Sequence, residues 1–159
     1  MENPVLKQWE NGLRINHISH AMAASHYKKY DRSIGIANTI LATIVASSIF
    51  AAISDSENTI LLVVAGIFSV LAAVFNAIYT FLNYGELAEK HRQAWIGYGD
   101  LRKTFEAETI FENSNNPDKI KEFLLEFNKK LSDLEKVVPE IPQKIHDRAK
   151  QEVLKNKNE

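Results

Sequence analysis

The sequence predicts an all-α membrane protein: a two-helix transmembrane hairpin continued by long antiparallel cytoplasmic helices, with a C-terminal amphipathic helical tail. The run 33–53 ("SIGIANTILATIVASSIFAAI") contains no charged residue, and the run 58–85 contains none either. Lys and Arg are absent from 33 to 89, with five before the first run and fourteen after the second. This distribution of charge is typical of membrane proteins.

Both apolar runs are long enough to cross a bilayer. A helix rises ~1.5 Å per residue, so a span at 33–54 covers ~33 Å, and the second span, 59–82, is slightly longer. Two buried helices of a soluble bundle are the alternative, but the polar flanks are too short to surround both. The interruption "SDSEN" (54–58) is then the turn. A polar segment precedes the first run, which argues against a cleavable signal peptide.

Positive charges at the span ends predict the orientation. Lys28, Lys29 and Arg32 stand before the first span, and Lys90 and Arg92 follow the second. By the positive-inside rule, we expect a multi-pass protein of the inner (plasma) membrane with both termini cytoplasmic. The lipid bilayer is therefore a predicted partner.

Composition and motifs exclude several classes of function. A balance of 19 Lys and Arg against 20 Asp and Glu excludes a nucleic-acid binder recruited by net charge. The absence of cysteine excludes disulfides and thiolate sites. We find no nucleophile with an orienting base, no phosphate-binding glycine loop and no HExxH motif. The sequence thus predicts no enzyme, no catalytic residues, no cofactor and no metal.

Small and polar residues follow one face of each predicted span, opposite large aliphatic side chains. Four of them form a small-xxx-small ladder, which lets helix backbones approach closely. The candidate helix-packing or pore-lining residues are Asn38, Thr39, Ala42, Thr43, Ala46, Ala65, Ser69, Ala73, Asn76, Ala77 and Thr80. Two interpretations stay open: an Asn38–Asn76 hydrogen bond that holds the hairpin, or a ring of amides and hydroxyls that lines a path between subunits.

Apolar stripes continue into both flanks, predicted as helices at 4–32 and 83–112. One juxtamembrane stripe consists of Trp9, Leu13, His17, His20, Ala24 and Tyr27, and the other of Leu87, His91, Ala94, Tyr98, Leu101 and Phe105. Counted outward from the membrane, the six positions of each stripe agree within one residue. Equal spacing predicts two antiparallel helices in register.

Four of the five histidines lie in or near these stripes, which raises the question of a metal site. His17-x-x-His20 places two imidazoles on one helical face, but no third ligand has a spacing that closes a site. We therefore interpret these histidines as structural. A proton-sensing role stays open because histidine titrates near neutrality.

A second region, 117–155, follows the two-span domain (1–112). In "ENSNNPD", Asn115 or Asn116 is expected to cap a helix that Pro117 opens. Apolar residues at intervals of three and four predict an amphipathic helix of about twenty residues, "VPEIPQ" ends it, and a polar helix follows. This tail either covers the juxtamembrane helices or contacts neighbouring subunits or a sensor.

The chain from 9 to 112 resembles the SLATT family. The similarity lies in a helix with Trp9, Arg14, His17, Ala21, Tyr27 and Arg32, two closely spaced spans, and the block "YGELAEKHRQAWIGYGDLRKTFE" with Ala88-x-x-His91, Tyr98, Leu101 and Phe105. Family members are two-transmembrane proteins associated with bacterial nucleotide-signalling and antiphage conflict systems. The resemblance implies a homo-oligomeric, pore-forming effector activated by an upstream sensor protein or a nucleotide signal. The alternative is a membrane-anchored adaptor whose cytoplasmic helices recruit a signalling partner.

Overall fold

A computed structural model describes residues 4–54, 59–111 and 117–155 of the chain. Five helices account for nearly all of these residues: α1 (Pro4–Ser54), α2 (Thr59–Leu82), α3 (Tyr84–Phe111), α4 (Pro117–Glu135) and α5 (Gln143–Lys155). No strand occurs within the described ranges. The prediction of an all-α chain with two long apolar helices is confirmed.

Helix α1 is a single helix of 51 residues. Pro4 occupies its first position, where the missing N–H costs no hydrogen bond, and no later proline interrupts it. The predicted first flank and first span, 4–32 and 33–54, are thus parts of one helix. Most of the predicted turn, 55–58, lies outside the described residues.

Helices α2 and α3 are separated by Asn83 alone. This residue has a φ of 41°, in the left-handed region that asparagine tolerates better than most residues. Its backbone N–H donates to the Tyr79 carbonyl at 3.2 Å and closes α2. Its side-chain amide donates to the Glu86 carboxylate in the first turn of α3. The second flanking helix therefore begins one residue later than predicted, and Asn83 interrupts the helix between α2 and α3.

The chain forms two compact units. Unit 1 comprises Met1–His26 and Leu87–Glu159, and unit 2 comprises Tyr27–Glu86. The core of unit 1 is built from Leu13, Tyr98, Phe105 and Phe127, which come from α1, α3 and α4.

Aromatic contacts show how α4 packs in unit 1. The ring of Phe127 lies 6.1 Å from Trp9, 5.2 Å from Phe105 and 5.6 Å from Phe123, measured between centroids. Phe127 and Phe105 are each 1 % exposed. Burial of two such rings removes a large apolar area from water, which stabilises the three-helix packing.

The segment 136–142 separates α4 from α5, where "VPEIPQ" was expected to interrupt the helix. The Pro142 carbonyl accepts hydrogen bonds from the N–H groups of Ile145 and His146, at 2.9 and 3.1 Å, and so begins α5. Ala149 and Val153 are buried one turn apart on α5.

Candidate functional site

In unit 2, the apolar part of α1 packs against α2 along one line of contact, which we call the seam. Buried and half-buried positions recur at intervals of four and three on both helices. On α1 they are Ile34, Asn38, Leu41, Val45, Ser48 and Ala52, and on α2 they are Leu61, Ala65, Phe68, Ala72, Phe75 and Tyr79. Large side chains on this seam are interspersed with small ones, such as Ala65 and Ala72 on α2, so the helices can approach closely.

A side-chain hydrogen bond joins the two spans. Asn38 Nδ2 donates to Asn76 Oδ1 at 3.2 Å. The hydrogen bond within the hairpin, one of the two interpretations of the paired asparagines, is thus present in the structure.

Most of the other candidate span residues lie away from the seam. Ala65 is buried and Ser69 is half-buried. The remaining candidates are exposed: Thr39, Ala42, Thr43, Ala46, Ala73, Ala77 and Thr80, together with Asn76. We call these eight residues the small-residue face. Apart from Asn76, whose amide accepts from Asn38, these residues take little part in the contact between the two spans, so that contact does not account for their small size.

A polar and aromatic cluster lies at one end of unit 2, formed by residues 27–31 of α1 and residues 79–84 at the end of α2 and the start of α3. Tyr79 Oη donates to Asp31 Oδ1 at 3.0 Å. The ring of Tyr84 lies 6.0 Å from Tyr27 and 5.8 Å from Tyr30. The sequence analysis placed Tyr27 in a juxtamembrane stripe but missed Asp31, Tyr30 and Tyr84, although tyrosines beside lysines are typical of membrane–water interfaces.

In unit 1, contacts between α1 and α3 run in opposite order along the two helices. Trp9 stacks on Phe105 with centroids 6.5 Å apart, and Leu13 is 3 % exposed. Arg14 bridges the edge of this contact, with its guanidinium 3.4 Å from the Glu106 carboxylate. This ion pair is partly exposed, so we expect it to contribute less than the apolar contacts.

Two histidines face each other at the centre of this helix pair. His20 Nδ1 and His91 Nδ1 are 2.9 Å apart, and the side chains are 1 % and 0 % exposed. The Tyr98 ring stacks on His20 at 5.2 Å. His20 thus contacts both His91 and Tyr98. Ala94 lies between these two residues on α3 and is the position that the equal-spacing register predicts opposite His20.

Burial governs the protonation of these groups. Desolvation, with a smaller effect of His91, lowers the pKa of His20 to about 4, and desolvation also lowers the pKa of His91. Burial and the Glu135 carboxylate raise the pKa of Tyr98 to about 12. At neutral pH the histidine pair and the tyrosine are therefore uncharged.

His17 lies one turn from this pair but has different neighbours. Its ring is 5.9 Å from Trp95, and burial, followed by the charges of Arg102 and Lys103, lowers its pKa. No group of three or more metal-ligating side chains occurs among the residues that the structure describes.

Two glycines of α3 are sites of close approach between helices. A Cβ at Gly97 would lie 2.9 Å from Leu134 Cδ1 of α4, and one at Gly99 would lie 3.0 Å from His17 Nε2 of α1. The sequence alone suggests that these glycines weaken a helix. In the structure they also let α4 and α1 pack tightly against α3.

The remaining predicted stripe residues lie along the same helices. Ala94 is buried, whereas Ala24, Tyr27, Leu87 and Leu101 are half-buried. Of these, Leu101 packs against the core of unit 1.

Two helices of the structure are long and apolar enough to cross a membrane, and only 6 % of the most apolar window of each is buried. So much exposed apolar surface is uncharacteristic of soluble proteins. Comparisons with curated proteins and with solved structures find no match. A family model for a two-transmembrane (2TM) effector domain matches residues 13–158, which include α4 and α5 as well as both apolar helices. The chain belongs to the SMODS and SLOG-associating 2TM effector domain family 4, a branch of the SLATT group.

Proposed function

We propose that the chain is an effector of a bacterial antiphage conflict system that assembles in the inner membrane as a homo-oligomer. On activation by a partner sensor or a nucleotide signal, the assembled hairpins open a path through the membrane or disrupt it. Family membership supports the effector role. The Asn38–Asn76 amide pair, in which Asn76 is exposed and Asn38 half-buried, is the observation that carries the proposal of assembly.

The geometry of unit 2 supports one assembly surface. A helix turns about 100° per residue, so the small-residue face lies roughly a third of a turn from the seam on each helix. On both helices the rotation from the seam to this face has the same direction when each helix is viewed from its N-terminus. Because the two helices run in opposite directions, both parts of the face come to one broad side of the hairpin. The other broad side carries large exposed aliphatic residues, including Ile40, Ile44, Ile67, Leu71 and Ile78.

The amide pair favours association of this surface with a second polar surface. Each asparagine amide offers two N–H donors and one carbonyl acceptor, and their mutual hydrogen bond uses one donor of Asn38 and the carbonyl of Asn76. Asn38 Oδ1 and Asn76 Nδ2 have no partner among the described residues. In hydrocarbon, an unpaired amide group is costly, so a second hairpin or a water-filled path is favoured over lipid.

Threonines on the same surface add hydrogen-bond acceptors, and their hydroxyl protons are already donated within their own helix. The hydroxyls of Thr39, Thr43 and Thr80 each donate to the carbonyl four residues earlier, at 2.9 Å. Their oxygens keep lone pairs that can accept from water or from another chain. A ring of such faces would present amides and hydroxyls to a central path, whereas the aliphatic side would face lipid.

The test enlarges one residue on each broad side of the second span. Ala73→Phe fills the small-residue face, whereas Val74→Phe enlarges a side chain that is already 53 % exposed on the aliphatic side. With the activating system present in bacteria, we expect the native chain and Val74→Phe to depolarise the membrane and arrest growth. We expect Ala73→Phe to do neither, at matched levels in the membrane, because overpacking a close contact costs ~1–3 kcal/mol.

The same experiment separates the effector from an adaptor. If the native chain leaves the membrane potential unchanged under demonstrated activation, pore formation is wrong and the adaptor function replaces it. An adaptor should also keep its activity when both spans are exchanged for unrelated apolar helices of equal length. A pore former should lose its activity in that exchange.

A further inference from the structure

The His20–His91 contact is an unusual way to join two helices, because it brings two titratable rings together in the interior of unit 1. Their Nδ1 atoms are 2.9 Å apart, and both side chains are buried. A hydrogen bond at this distance needs one Nδ1 that carries a proton and one that does not. The neutral pair satisfies this requirement with one tautomer on each side.

Protonation of the pair makes the buried contact between the two rings unfavourable. A first proton places one buried positive charge on two rings that share a hydrogen bond. A second proton leaves two N–H groups pointing at each other, so the hydrogen bond is lost and two like charges lie in contact. Both steps are easier when the rings are in water.

The described titratable groups around the pair come from α1, α3 and α4. On α1, the next titratable group toward the N-terminus is His17, whose pKa is lowered by burial and by Arg102 and Lys103 of α3, with Glu106 of α3 acting in the opposite direction. On α3, the neighbouring ring is Tyr98, which is uncharged at neutral pH. From α4, Glu135 acts on Tyr98, and from α5 the buried side chains are Ala149 and Val153.

We propose that the His20–His91 pair is a proton-sensitive contact in unit 1, at which neutral imidazoles hold α1 against α3 and protonation separates the two helices. This behaviour is a property of unit 1 alone and holds whatever the spans do.

The direction of the pH effect follows from linkage. The pKa of His20 is about 4 in the packed state and 6.5 when the ring is free in water. Its stabilising effect is complete above pH 6.5 and is lost as the pH falls from 6.5 to 4. Between pH 7.5 and 5.0, His20 alone increases the opening equilibrium constant about 30-fold, and His91 acts in the same direction.

The experiment measures hydrogen–deuterium exchange of the full chain in nanodiscs of neutral lipid at pH 7.5 and 5.0, corrected for intrinsic exchange rates. The readout is the protection of peptides that cover 13–24 of α1 and 88–101 of α3. The comparison is with the double variant His20→Gln/His91→Gln, whose amides can share a hydrogen bond but cannot be protonated in this range. His26→Gln and His146→Gln are matched single controls.

We expect the native chain and both controls to lose at least about 30-fold more protection at pH 5.0 than the double variant. Equal loss of protection in the native chain and the double variant overturns the proposal. If the double variant is already unprotected at pH 7.5, titration of the histidine ring resonances of the native chain decides instead. Values for His20 and His91 well below 6.5 then support the proposal, and values near 6.5 refute it.

Discussion

Asn38 and Asn76 are paired amide to amide across the two apolar helices, with Asn38 Nδ2 3.2 Å from Asn76 Oδ1. The residues that flank them on the seam, Leu41 and Phe75, are apolar and half-buried. A polar pair among apolar contacts fixes the register of the helices, because sliding one past the other would leave both amides without this partner. The same pair marks the one broad side of the hairpin on which we expect a second subunit.

The first prediction measures the strength of this pair. Asn38→Ala and Asn76→Ala should each destabilise the hairpin, and a double-mutant cycle should give a coupling energy of about 0.5–1.5 kcal/mol. Unfolding of the purified chain by SDS in mixed micelles, followed by helicity, gives the four free energies. Asn38→Ala combined with Thr80→Ala is the control, since these side chains share no hydrogen bond among the described contacts, and its effects should add. Zero coupling between the asparagines would mean that other groups hold the hairpin together.

The second prediction concerns orientation in the membrane. Because the chain contains no cysteine, single cysteines at Ser56 and Ser114 can be labelled without background. Lys28, Lys29 and Arg32 at the start of the first span predict that position 56 lies outside and position 114 inside. On intact cells an impermeant thiol reagent should therefore label Ser56→Cys, and Ser114→Cys only after the cells are opened. The reverse pattern contradicts the predicted topology.

Much of the fold could be predicted because its strongest signals are local. The first uncharged run forms the second part of α1, the second run contains α2, and Pro117 is the first residue of α4. Counting the stripe positions outward from the membrane placed Trp9 at the level of Phe105, and the two rings are stacked in the structure. Such periodic signals carry over to the structure because a helix keeps 3.6 residues per turn over its whole length.

Other features needed information that the sequence does not make explicit. Apolar side chains cover most of each span, so hydropathy does not say which face contacts the other helix. The seam instead combines Leu41 and Phe68 with Ala52 and Ala72. The break at Asn83 had a local signal, since Asn83 and Glu86 have the spacing of a capping box, but the apolar stripe continues past it. The contact between His20 and His91 was not predicted, because the equal-spacing register places His20 level with Ala94, three residues from His91 on the same stripe.

The third prediction tests the contact between α1 and α3. Leu101 packs against the core of unit 1, whereas Gln93 is exposed and its side chain donates only to Glu89 of its own helix among the described contacts. Leu101→Asp places a carboxylate among apolar atoms, which costs several kcal/mol, and a loss of ~3 kcal/mol means a more than hundredfold larger open population. The purified chain should become much more sensitive to limited proteolysis in α1 and α3. Gln93→Asp should remain as resistant as the native chain, and equal sensitivity of the two variants would show that Leu101 does not lie in this contact.

The fourth prediction uses two glycines with opposite surroundings. A Cβ at Gly12 meets nothing within 4 Å, whereas a Cβ at Gly97 lies 2.9 Å from Leu134 Cδ1. Leucine is a better helix former than glycine by about 0.5–1 kcal/mol, so Gly12→Leu should stabilise unit 1 by that amount. At Gly97 the same gain is opposed by overpacking, which costs ~1–3 kcal/mol, and most of that cost falls on the contact between α3 and α4.

Gly97→Leu should therefore lower the stability of unit 1 by about 1–2 kcal/mol and increase hydrogen–deuterium exchange in α4 more than in α1. Removing the opposing side chain supplies the decisive comparison. Leu134→Ala alone should also destabilise the packing of α4, because it leaves a cavity beside Gly97. In the double variant Gly97→Leu/Leu134→Ala the new leucine fills that cavity, so the double variant should be more stable than the sum of the two single effects predicts. Strictly additive effects would show that Gly97 and Leu134 do not meet, and that α4 packs against α3 elsewhere.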